Sequence, residues 1–481
     1  MRSGLMKKIL FRYGPAVLLG LFAVFLAGYL MREVWFDEFL TLQTAQTQKS
    51  PGAIYHAYQI PNNHIVFTIL LSAWLEFLSA CSNAFPLSLI RLLPALFGTA
   101  SLLLLYRILR RGTGRMSAFY CVLTMAVSPV FLIYASALRG YMTGVFLTLV
   151  SFVCARQWLR RGSMPMLLLY GICSLLAVGV APTDLAALGG VCVYLSPYLA
   201  DRKRRWRVPV LFVIPFLALT VFYYPIREMF FGCIRLGEGW SSAPEAAWHL
   251  YASSILFFLP VLLFAVPGAL RLFRRGGRAR LFVCSSVLTF LMPLGVYVLF
   301  KVPPFPRVFV PCLAFWIIPL GTAAGTVLRR LKWKYELAVL PALWGAVLFH
   351  ASVPLSGLLF QDNDDLLSPY YVRSDFRPSQ TIAFLEEVRR AEPSCVFFLT
   401  FGSDYPSLLF AADWPDSPEV LLYDLPNKPK RAELPAADCI GIVASTPEDL
   451  EAARIRFSLP PPFRIETTGS RRVGLFRRAA Q

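Results

Sequence analysis

Residues 91–111 read RLLPALFGTASLLLLYRILRR, an apolar run closed at one end by Arg107, Arg110 and Arg111. A helix crossing a bilayer needs roughly 20 mostly apolar residues, because lipid offers an open backbone no hydrogen-bond partner. This stretch is long enough, and arginines gathered at one end are what the positive-inside rule leaves in the cytoplasm. Working outward, such runs recur at Gly14–Leu30, Leu87–Leu109, Ser117–Tyr134, Tyr141–Trp158, Met166–Ala181, Leu185–Leu199, Val208–Tyr224, Leu250–Leu270, Leu281–Phe300, Val308–Leu328 and Tyr335–Val353. Composition agrees: of 481 residues 57% are hydrophobic and 16% charged, whereas a soluble globular chain is nearer half apolar.

A further run, His64–Ala80, is ambiguous by hydropathy, and charge decides it. The clusters around Arg2–Arg12, Arg107–Arg115, Arg156–Arg161, Arg202–Arg207, Arg271–Arg280 and Arg329–Lys334 share one side only if His64–Ala80 does not cross. It therefore reads as an interfacial or re-entrant helix, giving eleven spans with the N-terminus cytoplasmic. The first span follows MRSGLMKKILFRYG (1–14), is long for a signal-peptide core and lacks a small-x-small cleavage site, so it reads as uncleaved. The net charge of +19 comes wholly from residues 1–359, with 33 basic and 10 acidic side chains against 14 and 18 in residues 360–481. Cations at the ends of apolar runs orient a membrane protein, which argues against a nucleic-acid binder.

The polar stretch 360–481 alternates helix-like segments (Ser379–Arg390, Pro447–Arg454) with strand-like ones (Cys395–Thr400, Val420–Tyr423, Cys439–Ala444, Arg464–Thr468, Arg472–Phe476). The expected fold class is thus an all-α polytopic membrane protein, residues 1–359, with interfacial helices and a small C-terminal α/β domain, residues 360–481, outside the cytoplasm. Most of the ten cysteines lie inside apolar runs and behave as small hydrophobes. Cys395 and Cys439 lie in the polar domain, where they either pair, if the compartment is oxidising, or stay free. No CxxC or Cys/His spacing suits zinc.

Chemistry has to be sought in the outer loops, where acids and cations are scarce. Directly after the first span, VWFDEFLTLQTAQ (34–46) sets Asp37 and Glu38 side by side at the membrane surface. Ionisable groups at that depth are costly and commonly serve function, although Asp37 equally fits the N-cap of a helix starting at Glu38. In PNNHIVFTILL (61–71), Asn62, Asn63 and His64 open the helix that does not cross, where free backbone N–H groups favour a phosphate or a sugar. Plain capping is the alternative. ALRGYM (137–142) puts Arg139 and Tyr141 at the outer mouth of a span, and KVPPFPRVFVP (301–311) sets Lys301 and Arg307 among four prolines. A guanidinium grips phosphate oxygens in pairs, so Arg139 and Arg307 suit a lipid-linked phosphate, with snorkelling to headgroups as the plainer reading. Asp184, at another outer span end, equally fits an N-cap and ranks below Asp37.

These stretches, taken in order, resemble the GT-C superfamily of polyprenyl-phosphate-dependent glycosyltransferases, in particular the bacterial protein-mannosyltransferase and aminoarabinose-transferase-like branch. The likeness rests on the FDE of Asp37 and Glu38, the NNH before the juxtamembrane helix, the span over residues 91–111, ALRGYM and the PRVFVP arginine, and covers roughly residues 1–353. It implies that Asp37, with Glu38 beside it, acts on the acceptor hydroxyl as base. Asn63, His64, Arg139, Tyr141, Lys301 and Arg307 would bind a polyprenyl-phosphate sugar, and transfer would invert the anomeric centre. It further implies an enzyme of the bacterial inner membrane and cell envelope that needs no cofactor or metal. Where family members often carry His-Pro-Pro, this chain has His64-Ile65-Val66, so the helix begins differently. The rival reading is a polytopic lipid or glycolipid flippase. Carriers commonly show paired internal repeats, which are not evident here.

Overall fold

The computed structural model describes residues 2–331 apart from 32, 35, 49, 58–63, 83–84, 238–242 and 301–305, together with residues 378–400, 422–424 and 437–477 apart from 470. The chain divides into two compact units, Met1–Met31 with Thr41–Phe360, and Arg32–Leu40 with Gln361–Gln481.

The first unit is helical. In chain order it holds α1 (Arg2–Leu30), α2 (Phe36–Thr47, whose start belongs to the second unit), α3 (Pro51–His56), α4 (Ile65–Cys81), α5 (Leu87–Ile90) and α6 (Leu92–Thr113). Then come α7 (Arg115–Ala126), α8 (Pro129–Ser136), α9 (Tyr141–Arg161), α10 (Met164–Val180), α11 (Asp184–Leu195) and α12 (Arg207–Tyr223). The series closes with α13 (Arg227–Gly237), α14 (Ala243–Arg274), α15 (Gly277–Phe290), α16 (Met292–Phe300) and α17 (Val310–Leu328). Among the described residues, six segments are long and apolar enough to cross a membrane: Tyr13–Leu30, Leu87–Thr113, Tyr141–Arg161, Arg207–Gly232, Phe257–Arg274 and Pro306–Leu328. The bent pairs α7–α8 and α15–α16 bring the number to eight, while α4, α10 and α11 are apolar but shorter. The span expected at Tyr335–Val353 lies outside the described residues.

Breaks follow the chemistry of the chain. Proline has no N–H and disfavours helix in the residue before it, and the α7–α8 break falls at Val127–Ser128, just ahead of Pro129. Close helix approach is carried by small residues, as expected where packing rather than a hydrophobic force joins helices. Gly268 of α14 lies where an added Cβ would sit 2.0 Å from the Ala323 carbonyl oxygen of α17, and Gly325 of α17 meets Thr113 of α6 at 2.6 Å. The loop after α1 is not open chain but two short helices, α2 and α3, the latter capped by Ser50, whose Oγ accepts from the Ala53 N–H at 3.2 Å.

The second unit is a five-stranded sheet between two helices, α18 (Pro378–Ala391) and α19 (Pro447–Arg456). Its strands are β1 (Val396–Leu399), β2 (Leu422–Asp424), β3 (Cys439–Ala444), β4 (Arg464–Thr468) and β5 (Arg471–Arg477), in the spatial order β2-β1-β3-β5-β4. The pairs β2-β1 and β1-β3 are parallel; β3-β5 and β5-β4 are antiparallel. Strand β3 reads CIGIVA and is buried throughout, because Cys439 and Val443 face the α18 layer while Ile440, Ile442 and Ala444 face the α19 layer. Cys395 and Cys439 form a disulfide. Glu33, just beyond the first helix, belongs to this unit: the Ser379 N–H and hydroxyl donate to its two carboxylate oxygens at 3.0 and 2.8 Å. A carboxylate there answers the free N–H groups and positive dipole end of α18.

Candidate active site

Three of the expected residues come together in the first unit. The α8–α9 turn, Ala137–Gly140, presents Arg139, and Tyr141 opens α9. His64, immediately before α4, is fully buried against this turn, its ring 4.8 Å from that of Tyr141, which in turn stands 4.6 Å from Tyr134. Its Nδ1 lies 3.1 Å from the Val180 carbonyl oxygen. A carbonyl can only accept, so Nδ1 carries the proton and Nε2 is left as an acceptor. That Nε2 is buried and has no hydrogen-bond partner among the described residues. Burial, and then the Arg139 charge, hold the imidazole well below the usual histidine range, outweighing the Val180 bond that would raise it. His64 is therefore a neutral acceptor at neutral pH, not a further cation.

The close fit depends on Gly140. A Cβ at this position would lie 2.6 Å from Val180 Cγ1, 2.9 Å from His64 Nδ1 and 3.1 Å from Phe67 Cβ. Arg139 itself is fully buried, and its Nη1 donates to Thr41 Oγ1 at 2.9 Å. Removing a guanidinium from water is expensive unless anions or dipoles compensate.

Asp37 and Glu38 occupy the first turn of α2, which begins at Phe36, so neither is its N-cap. Asp37 is half-buried and Glu38 fully buried. Arg307 is half-buried in the 3-10 turn Pro306–Phe309 that leads into α17. Asn63 and Lys301 lie outside the described residues. Among the described residues, no group of three or more His, Cys, Asp or Glu side chains comes together as a metal-ligand set.

Among the described residues of the first unit, two further charged residues are buried. Arg91 is fully buried, and its Nη1 donates to the Leu30 carbonyl at the end of α1, a favourable place for a cation. Asp184 is the first residue of α11, with Thr183 in the cap position, so it is not an N-cap. It is 2% exposed, and its Oδ2 has no hydrogen-bond partner among the described residues. That oxygen faces Gly144 so closely that a Cβ there would lie 2.3 Å away. Gly144 is one helical turn along α9 from Gly140, which puts a buried carboxyl close behind the histidine–arginine turn.

No family model matches the sequence, and no curated protein matches it either. Solved structures do. ArnT from Cupriavidus metallidurans in the apo state superposes with a TM-score of 0.52 at 14% identity, over 96% of this chain and 97% of that one. The oligosaccharyltransferase of Archaeoglobus fulgidus gives 0.49 in its apo form at 12% identity, over 83% of this chain and 64% of its own. The same enzyme, called AglB, in complex with an inhibitory peptide and a dolichol-phosphate gives 0.48 at 12% identity, over 84% and 64%. The end-to-end likeness to ArnT establishes the architecture: the chain is a polytopic helical protein of ArnT-like fold with a small C-terminal sheet domain.

Proposed function

We propose that this protein is a membrane glycosyltransferase that moves a sugar from a polyprenyl-phosphate donor to an acceptor hydroxyl, inverting the anomeric centre. Asp37 takes the proton of the acceptor hydroxyl as that oxygen attacks the anomeric carbon. The bond to the phosphate oxygen breaks as the new one forms, and the charge gathering on the departing polyprenyl phosphate is met by Arg139 and Arg307, with Lys301 as a further cation. His64 joins as a neutral group, its Nε2 accepting from a sugar hydroxyl, and Tyr141 fixes its ring. Asn63 completes the donor site, and Glu38 supports its neighbour in α2.

The observation that carries this reading is the buried Arg139–His64–Tyr141 cluster, built from two separate sequence motifs at the end of a span. Charged and polar groups of this kind mark the place of function in a helical membrane protein. The ArnT-like fold is consistent with it. A base and two or three cations supply both charge roles, so the reaction is written without a metal. We place the N-terminus in the cytoplasm, residues 1–359 in the inner membrane and residues 360–481 outside. The Cys395–Cys439 disulfide supports the last point, since such bonds persist in oxidising compartments.

The test is transfer of labelled sugar from a panel of polyprenyl-phosphate sugars in proteoliposomes, comparing the protein with Asp37→Asn. The substitution keeps shape and removes the base, and loss of a general base typically costs 10²–10⁴-fold in rate. Turnover retained within threefold in the variant removes Asp37 from the role. Absence of turnover over the whole panel, with protein-dependent movement of lipid between leaflets, replaces the enzyme by a flippase.

A further inference from the structure

The two ends of α9 differ in kind. Tyr141 and Arg139 mark one; Arg156 stands 15 residues further, about 22 Å along the axis at 1.5 Å per residue, and so near the opposite membrane face. There the first unit forms a cavity of about 220 Å³ between α6, α9, α11, α15 and α17. Its wall is aromatic: Tyr194 stands 5.7 Å from Phe152 and 5.4 Å from Phe282, with Tyr198 at the margin. Two polar groups break that wall. Thr322 is held by its own helix, donating to the Ile318 carbonyl at 2.7 Å. Arg156 makes no hydrogen bond or ion pair among the described residues.

A guanidinium that lines an aromatic cavity is suited to an anion, because its five N–H donors match the oxygens of a phosphate. The surroundings draw anions to the same place. The sequence sets Arg110 and Arg111 at the end of α6, Arg160 and Arg161 at the end of α9, and Arg202, Lys203, Arg204 and Arg205 just before α12, with Asp201 the one acid in these stretches. Asp201 is taken up by Arg204 at 3.6 Å. Basic pockets between membrane helices, with apolar walls below them, are the setting in which anionic lipid headgroups are held.

We infer that this cavity is a binding site for the phosphate ester of a membrane lipid, with Arg156 on the phosphate and the Phe152–Tyr194–Phe282 wall against the first carbons beyond it. The site is separate from the Arg139–His64 cluster and does not depend on the reaction proposed for it. Its place at membrane depth favours a lipid over a free ion, since a lipid brings its own hydrocarbon to the aromatic wall.

The experiment is native mass spectrometry of the full-length protein released from detergent and titrated with phosphatidylglycerol, with diacylglycerol, and with inorganic phosphate. Arg156→Gln, Thr322→Phe, which fills the cavity from α17 while leaving Arg156 in place, and Arg160→Gln are compared with the unaltered chain. Phosphatidylglycerol is expected to bind at least tenfold more weakly to Arg156→Gln and to Thr322→Phe, and within twofold of normal to Arg160→Gln. Diacylglycerol is expected to bind more weakly than phosphatidylglycerol to the unaltered chain. Equal losses in Arg156→Gln and Arg160→Gln would mean diffuse attraction to a basic surface and overturn the site. Equal binding of diacylglycerol would overturn the role of the phosphate, and Arg156-dependent binding of inorganic phosphate alone would overturn the lipid. Should Arg156→Gln fail to fold, Thr322→Phe and the comparison of the two lipids on the unaltered chain decide the matter.

Discussion

Replacing Gly140 by Ala perturbs the candidate active site without touching a chemical group. Its backbone is ordinary right-handed, φ −69°, so the added methyl carries no conformational strain and its whole effect is steric. The methyl would stand 2.6 Å from Val180 Cγ1 and 2.9 Å from His64 Nδ1, both well inside contact distance, so the ring and the α9 start must move apart. Overpacking of this kind costs about 1–3 kcal/mol. Losing the 3.1 Å bond to Val180 adds about 1–3 kcal/mol more, because a buried N–H would be left unsatisfied. Gly171→Ala, in mid-α10 with open space around it, is the control and should be neutral or stabilising by up to about 1 kcal/mol. Denaturant titration in detergent micelles reads both, with sugar transfer measured alongside. Gly140→Ala should be the less stable of the pair by at least about 2 kcal/mol, the lower end of the two costs above, and should lose transfer. A stability within about 0.5 kcal/mol of the control would refute the packing argument, since surface-like changes fall in that range.

Further outcomes follow from other parts of the chain. The depressed His64 imidazole stays neutral in the folded protein while the unfolded chain takes up a proton near the ordinary histidine range. Stability should therefore fall as pH drops below that range, by up to about 1.4 kcal/mol per pH unit from this group, and His64→Gln should flatten the slope in pH-dependent unfolding. Gly268→Ala drives a methyl to 2.0 Å from a backbone oxygen, which cannot rotate away as a side chain can, so detergent-solubilised yield and Tm should both drop markedly. Opening the Cys395–Cys439 bond, which spans a sequence separation of 44, should destabilise the second unit by about 4 kcal/mol on the chain-entropy account, seen as faster proteolysis of residues 378–477 under reductant.

That the chain is helical and polytopic was readable because hydropathy is a local signal, while among the described residues six to eight segments, against eleven expected over the whole chain, are long and apolar enough to span. The C-terminal strands were readable too: β3 and β4 begin and end where the alternation and apolar run predict, and α18 and α19 extend one or two residues beyond expectation. Between the expected runs Val208–Tyr224 and Leu250–Leu270 lies α13, a short amphipathic helix that no long apolar run announces. Of the site, the sequence located His64, Arg139 and Tyr141 as separate polar interruptions, and the fold brings them together. It had no means of showing that Gly140 is the space in which His64 fits, that Arg91 reaches the end of α1, or that Asp184 lies behind Gly144. Each of those facts depends on contacts tens or hundreds of residues apart in sequence, and no nearby pattern records them. His64 illustrates the difference: a histidine at the entry to a helix reads as a ligand for a phosphate or a sugar, but only its burial beside Arg139 shows that its ring is held neutral.

The bond between Glu33 and Ser379 closes a separation of 346 residues. A ribosome adding about 5–20 residues per second makes the second partner about 20–70 s after the first. During that interval Arg32–Leu40, the segment carrying Asp37, is already outside the first helix while the unit it belongs to has not been synthesised. Glu33 can therefore meet the start of α18 only after the whole helical unit between them has been made, so this contact is among the late events of synthesis.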